Sequence, residues 1–272
     1  MSGTRANGGP PRPRRQRRTP AARRAPGPGL RGAARSPFGR GDLAASLLLV
    51  FPLFLAYEVG VMFSPTVNGV DFVTRWVFAA VGYDRDRFLL VHLVLAVGFL
   101  GLLLYLRRQR TFRLRVFPTM LLESIFYAVT MGTFIAVLME RVLGLGFAAA
   151  GTAVDPTQLA AGERTRALVM SLGAGVHEEL VFRLGLMGGG TAALMLAGLG
   201  RRTAVTISLV ASALLFSAAH HAGPLGEPFD TSVFVYRALA GAVFGLIFYH
   251  RSLAHAAYTH FLYDLYVLLL RG

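Results

Sequence analysis

The chain has 272 residues, 54% of them hydrophobic and 15% charged, with a mean hydropathy of +0.53. Soluble domains are about a quarter charged, so this deficit points to a chain embedded in lipid. The absence of cysteine excludes disulfides, thiolate metal sites, iron–sulfur ligation and a thiol nucleophile, and the net charge of +14 is carried by arginine alone.

Most of that charge sits in one place. Residues 1–41 hold 11 of the 28 basic residues and no acid, which leaves 17 arginines against 14 acids in the remainder. The tail runs PPRPRRQRRT and AARRAPGPG contain almost no large apolar residues. Such a segment cannot bury enough surface to offset its ordering entropy, so residues 1–41 are expected to be a disordered cytoplasmic arm lying against anionic lipid. Nucleic-acid binding is disfavoured, because no aromatic residues are interleaved to stack bases. The apolar run starting at Leu43 is long enough to remain in the membrane, unlike a cleaved leader.

A hydrocarbon layer of about 30 Å needs roughly 20 helical residues. Residues 42–272 are expected to form an all-α membrane bundle with about seven crossings, near 43–63, 88–106, 117–139, 166–187, 204–222, 231–249 and 252–270. The stretch VDFVTRWVFAAVG at 70–82 is shorter and amphipathic, as an interfacial segment is. Loop 107–116 carries five arginines and no acid, which places it with the tail on the cytoplasmic side and the C-terminus outside. Residues 144–162 are a small-residue connection able to hold a short interfacial helix. No internal repeat is visible.

A charge inside the bilayer is costly unless paired or wetted, so every intramembrane ionisable group raises a question. Glu58, Glu123 and His92 have no partner of opposite sign at helical spacing and read as structural hydrogen-bonding groups. The last 96 residues differ: they hold six of the seven histidines. VHEELVFRLG places Glu178, Glu179 and Arg183 on one helix, LLFSAAHH sets Phe216 four residues before His220, and THFLYDL sets His260 four before Asp264. A separation of four is about 40° around an α-helix, so each such pair shares a face. Glu179 and Arg183 stand in the favoured acid-before-base order, while Glu178 points about 100° away and is free for another role.

These groups can hydrolyse a peptide bond. Glu178 would take a proton from water, and Arg183 would compensate the double carboxylate. His220 and His260 would polarise the carbonyl or protonate the leaving amine, and Asp264 would orient His260. Two histidines and a glutamate are also a hydrolytic zinc set, though without the H-E-x-x-H spacing, so a divalent metal and direct activation of water both stay open. A buried polar network that merely joins helices is the plainer alternative. Three clusters in three spans, one with a double glutamate, favour function. His221 is a second candidate for the role of His220. His177, His250 and His255 read as interfacial or structural, and Gly241-xxx-Gly245 as close helix packing.

EELVFR resembles the EExxxR motif, FSAAH the FxxxH motif and HFLYD the Hxxx(N/D) motif of the CPBP family of membrane proteins. That family includes the CAAX prenyl endopeptidases and the bacteriocin-processing or Abi proteins. The resemblance covers roughly residues 165–270, including RALAGAVFGLIFYHRSLAHA at 237–256. It implies an intramembrane endopeptidase of glutamic type in which Glu178 activates water with help from His220. His260 and Asp264 would support the oxyanion, and Glu179 and Arg183 complete the first motif. Asp264 stands where prenyl-substrate members often have asparagine. The resemblance leaves the substrate open among a CAAX-like prenylated terminus, a leader peptide and a C-terminal sorting tail of the myxosortase kind. An arginine-only, alanine- and glycine-rich composition suggests a GC-rich bacterial genome and an inner-membrane location. Expected partners are membrane lipid and a membrane-associated protein or peptide, with no nucleic acid. The alternatives are a non-catalytic scaffold, such as an immunity or transport-accessory protein, and a proton or small-ion transporter.

Overall fold

The computed structural model describes Met1, Gly3 and residues 43–64, 68, 69, 71–108, 116–145, 161–222 and 226–270. The chain divides into units Met1–Ala34 and Arg35–Gly272, and every described helix lies in the second. The expectations for the tail, for most of loop 107–116 and for most of 144–162 fall outside the described residues. The helices are α1 (Leu43–Val61), α2 (Phe72–Ala80), α3 (Arg85–Arg108), α4 (Val116–Arg141) and α5 (Ala161–Gly173). A π-helical segment (Ala174–Gly189) then leads into α6 (Gly190–Leu196), followed by α7 (Arg201–Ala219), α8 (Thr231–His250) and α9 (Leu253–Leu270). Among the described residues there is no strand. The all-helical membrane class expected from composition is the one observed.

Six helical stretches are long and apolar enough to cross a membrane: Leu43–Val61, Arg85–Tyr105, Val116–Arg141, Gly162–Leu196, Arg201–Ala219 and Thr231–His250. The seventh expected crossing is the helix α9, 18 residues long, but it is not among these six. His255, Thr259, His260 and Asp264 lower its hydropathy, and contacts with α1, α4, α5, the π-helical segment and α8 enclose it in place of lipid. The segment read as interfacial is α2. Its nine residues are too few to cross, and Asp71 caps it by accepting a hydrogen bond from the Thr74 backbone N–H at 2.9 Å.

The fourth crossing runs past the expected end at 187, through Gly188, Gly189 and Gly190, to Leu196. Gly190 packs closely on α7: a Cβ there would lie 3.2 Å from Ser208 Oγ. The helix stops at Gly198, whose φ of 92° is open to glycine without strain. The fifth crossing starts and ends about three residues earlier than its pattern suggested, and His220 is the residue that closes it.

Lipid accounts for the outward faces. Only 11% of the most apolar stretch of α3 is buried, and Leu93, Val94, Val97 and Leu100 are exposed on it. A helix so apolar and so uncovered is stable against hydrocarbon but not against water. Inside, small residues set helix spacing. A Cβ at Gly175 would come within 2.7 Å of Ala257 O, so the π-helical segment and α9 meet backbone to backbone. Gly241 and Gly245 bring α8 close to α7: an added Cβ at Gly241 would lie 3.1 Å from Ala213 Cα, and one at Gly245 would run into the Leu209 side chain. This is the close packing expected of that repeat.

Candidate active site

The double glutamate lies on the π-helical segment, where each residue bonds five along the chain; such turns are rare and frequent at functional sites. Adjacent side chains still diverge. Glu179 is fully buried and faces inward. One oxygen of Glu179, Oε1, is 3.1 Å from Arg183 Nη1 and accepts a hydrogen bond from His260 Nδ1 at 2.7 Å. Arg183 is also fully buried. It donates from Nη2 to the Gly241 carbonyl at 3.2 Å and lies 4.4 Å from the Phe216 ring centroid and 5.2 Å from that of Phe244. A guanidinium held between aromatic faces and a carboxylate keeps its charge stabilised away from water.

Glu178 is 8% exposed and faces the other way. Its Oε1 accepts from Asn68 Nδ2 at 2.9 Å. Its Oε2 is buried without a hydrogen bond, 3.8 Å from His220 Nε2 and 4.0 Å from His260 Nε2. These two distances exceed a direct hydrogen bond and are within the reach of a shared water. His220 Nδ1 lies 2.8 Å from the Phe216 carbonyl, one helical turn back. A carbonyl only accepts, so the Nδ1 proton is committed there and Nε2 is turned to Glu178. The His260 ring stacks on Phe244, with centroids 4.4 Å apart and planes 19° apart. Rotation of either imidazole is thus restricted by a hydrogen bond at Nδ1 and by an aromatic neighbour.

The chain turns at His220, and the Glu227 backbone N–H donates to the His220 carbonyl at 2.9 Å, satisfying a helix-end acceptor. Glu227 is itself held by Arg237 at 2.8 Å, and that hydrogen bond keeps its carboxyl below the usual carboxylate range.

Glu178, Glu179, Arg183, His220 and His260 therefore come together from three elements. Asp264 is more loosely engaged: its Oδ2 is 3.6 Å from His260 Nε2 and its side chain is 28% exposed. His221 points elsewhere, toward the Glu227 carbonyl and the Phe229 ring. Glu58, Glu123 and His92 do have partners, supplied by other helices and so invisible at helical spacing. Glu58 accepts from Thr74 Oγ1 at 2.7 Å and faces His92 at 3.4 Å, while Glu123 faces Arg251 at 3.0 Å and His255 at 3.5 Å. Sequence reasoning missed Asn68, Phe244 and the Gly241 carbonyl. Asn68 stands 110 residues before Glu178 in a short connection, and no local pattern marks it. Among the described residues, the group of three whose ligand atoms all lie within 4.8 Å of one another is Glu58, Asp71 and His177; Glu178, His220 and His260 form a more open set.

A bundle of apolar helices enclosing a cluster of glutamate, histidine and arginine defines an integral membrane protein with a buried polar centre. Residues 161–266 match the family model described as type II CAAX prenyl endopeptidase Rce1-like. The family resemblance read from EELVFR, FSAAH and HFLYD is borne out across this segment. No curated protein and no solved structure matches the chain.

Proposed function

We propose that the protein is an intramembrane endopeptidase that cleaves a membrane-associated protein or peptide with water activated by Glu178. The observation that carries this reading is the arrangement around Glu178 Oε2, which is buried, lacks a hydrogen bond and faces both His220 Nε2 and His260 Nε2. Asn68 holds the other oxygen, so Oε2 is the one aimed at the reacting water.

In this reading Glu178 removes a proton as water attacks the scissile carbonyl, forming the carbon–oxygen bond of a tetrahedral intermediate. His220, its Nδ1–H engaged by Phe216, receives that proton from Glu178 at Nε2 and gives it to the amine nitrogen as the carbon–nitrogen bond breaks and the intermediate collapses to a carboxyl group. His260 donates from Nδ1 to Glu179, so its Nε2 supports the oxyanion only as imidazolium. Arg183 and Glu179 hold that ring in place, and Asp264 flanks Nε2. A divalent zinc-like ion on Glu178, His220 and His260 would instead supply Lewis-acid activation of the same water. The donor types suit it, and the same side chains would hold it.

The chain is read as a bacterial inner-membrane protein, with the arginine-rich N-terminus cytoplasmic. Its substrate is a prenylated CAAX-like terminus, a leader peptide or a C-terminal sorting tail. The test uses full-length protein reconstituted in liposomes with fluorogenic peptides of each kind. Glu178→Ala and His260→Ala should each lower cleavage by on the order of 10²–10⁴-fold while leaving helical content unchanged. Full activity in both variants on a cleaved substrate rejects the site.

A further inference from the structure

A second buried polar cluster lies behind Glu178. Glu58 comes from α1, Asp71 from the cap of α2, His92 from α3 and His177 from the π-helical segment, one residue before Glu178. All four are buried, none more than 2% exposed. Among the described residues, the ion-pair partners of the two carboxylates are the two histidines: His177 Nε2 is 3.2 Å from Asp71 Oδ1, and His92 Nε2 is 3.4 Å from Glu58 Oε2. Two carboxylates in so apolar a setting demand compensating positive charge.

The imidazoles show what kind of charge fits. His92 Nδ1 is 2.8 Å from the Phe88 carbonyl, and His177 Nδ1 is 3.3 Å from that of Gly173. Each Nδ1 therefore keeps its proton for a carbonyl and each Nε2 faces a carboxylate oxygen, as an N–H donor in the imidazolium and as a lone pair in the neutral ring. Glu58 Oε2, His92 Nε2 and His177 Nε2 are all buried without a hydrogen bond. In the neutral rings these acceptors face acceptors, and such pairs repel unless a proton or a metal ion lies between them. An Nδ1–H on a backbone carbonyl with Nε2 directed inward is the usual posture of a metal-bound histidine. Zinc bonds of about 2.0–2.1 Å place neighbouring tetrahedral ligands about 3.3–3.4 Å apart, close to both histidine–carboxylate separations.

We propose that Glu58, Asp71 and His177 bind one divalent transition-metal ion of the zinc class, with His92 beside Glu58 at the edge of the site. The remaining oxygens are already oriented: Thr74 Oγ1 donates to Glu58 Oε1 at 2.7 Å and Tyr57 Oη to Asp71 Oδ2 at 2.7 Å. The ion ties α1, α2 and the π-helical segment together. Tyr57 Oη also accepts the Asn68 backbone N–H at 2.9 Å. The site thereby holds the connection that brings Asn68 to Glu178, a consequence that rests on the proposed protease reading, whereas the ion itself does not.

The test counts metal and needs no substrate. Full-length protein in detergent is stripped with chelator, given Zn²⁺ alone, desalted and measured by mass spectrometry of the metal, with its thermal midpoint read in parallel. The expected result is one tightly held equivalent, a midpoint raised by zinc, and an X-ray absorption spectrum showing only nitrogen and oxygen neighbours with imidazole. Glu178→Ala should keep that equivalent, while Asp71→Asn and Glu58→Gln should lose it. Wild-type protein that holds no stoichiometric zinc overturns the inference whatever the variants do. So does an equivalent lost in Glu178→Ala, or one kept in either Asp71→Asn or Glu58→Gln.

Discussion

Two histidine–carboxylate clusters sit back to back in this bundle, joined by the adjacent residues His177 and Glu178, and they are built on opposite plans. Around Glu178 the carboxylate and imidazole atoms stand 3.8 and 4.0 Å apart, and a buried arginine compensates the neighbouring Glu179. Around Asp71 and Glu58 the corresponding gaps are 3.2 and 3.4 Å, and the pairing is with histidine. A centre that must admit water and a peptide carbonyl leaves its reactive atoms apart and puts its fixed charge one residue away. A centre that holds helices together closes on itself. Residue type alone does not separate the two; spacing and the source of the positive charge do.

That contrast can be broken most forcefully at Arg183. Arg183→Ala leaves Glu179 buried beside a single imidazole, and removing one partner of a buried pair costs about 3–5 kcal/mol. The thermal midpoint in detergent should fall steeply, and Glu179→Gln added to Arg183→Ala should recover part of the loss. An unchanged midpoint for the single variant would mean that the arginine does not carry the compensation. A smaller effect is expected at Asn68. A hydrogen bond to a charged group contributes about 1.5–3 kcal/mol, so Asn68→Ala should lower kcat by roughly ten- to a hundred-fold with little change in KM. Unaltered kcat would detach the first loop from the site. The smallest effect sharpens the comparison. His221→Ala should leave cleavage within about twofold of wild type, whereas His220→Ala should lose at least about a hundred-fold. Equal losses would put both imidazoles at the reacting water.

Much of the front cluster was legible because its pairs are local. Glu179 with Arg183, Phe216 with His220 and His260 with Asp264 are each one helical turn apart, and such spacing survives in almost any packing of the helices. The rear cluster was not legible. Glu58, Asp71, His92 and His177 come from separate elements, and each looks alone on its own helix. His177 read as interfacial or structural, and nothing in its sequence neighbours indicates that it faces Asp71. The span count shows the same limit from another side. α9 carries enough polar groups to fall short of a membrane-spanning pattern, and it is accommodated because five other elements surround it.

Amino-acid order on its own therefore determined the lipid-embedded helical class, the positions of most crossings and the three one-turn motifs, because hydrophobic length and helical periodicity act locally. Tertiary packing alone decided that Glu178 meets His220 at the closing turn of α7, that Asn68 reaches across to it, and that a second cluster forms behind. Those contacts depend on how closely Gly175, Gly241 and Gly245 let helices approach, and a close approach is a property of pairs of surfaces that no single stretch of chain contains.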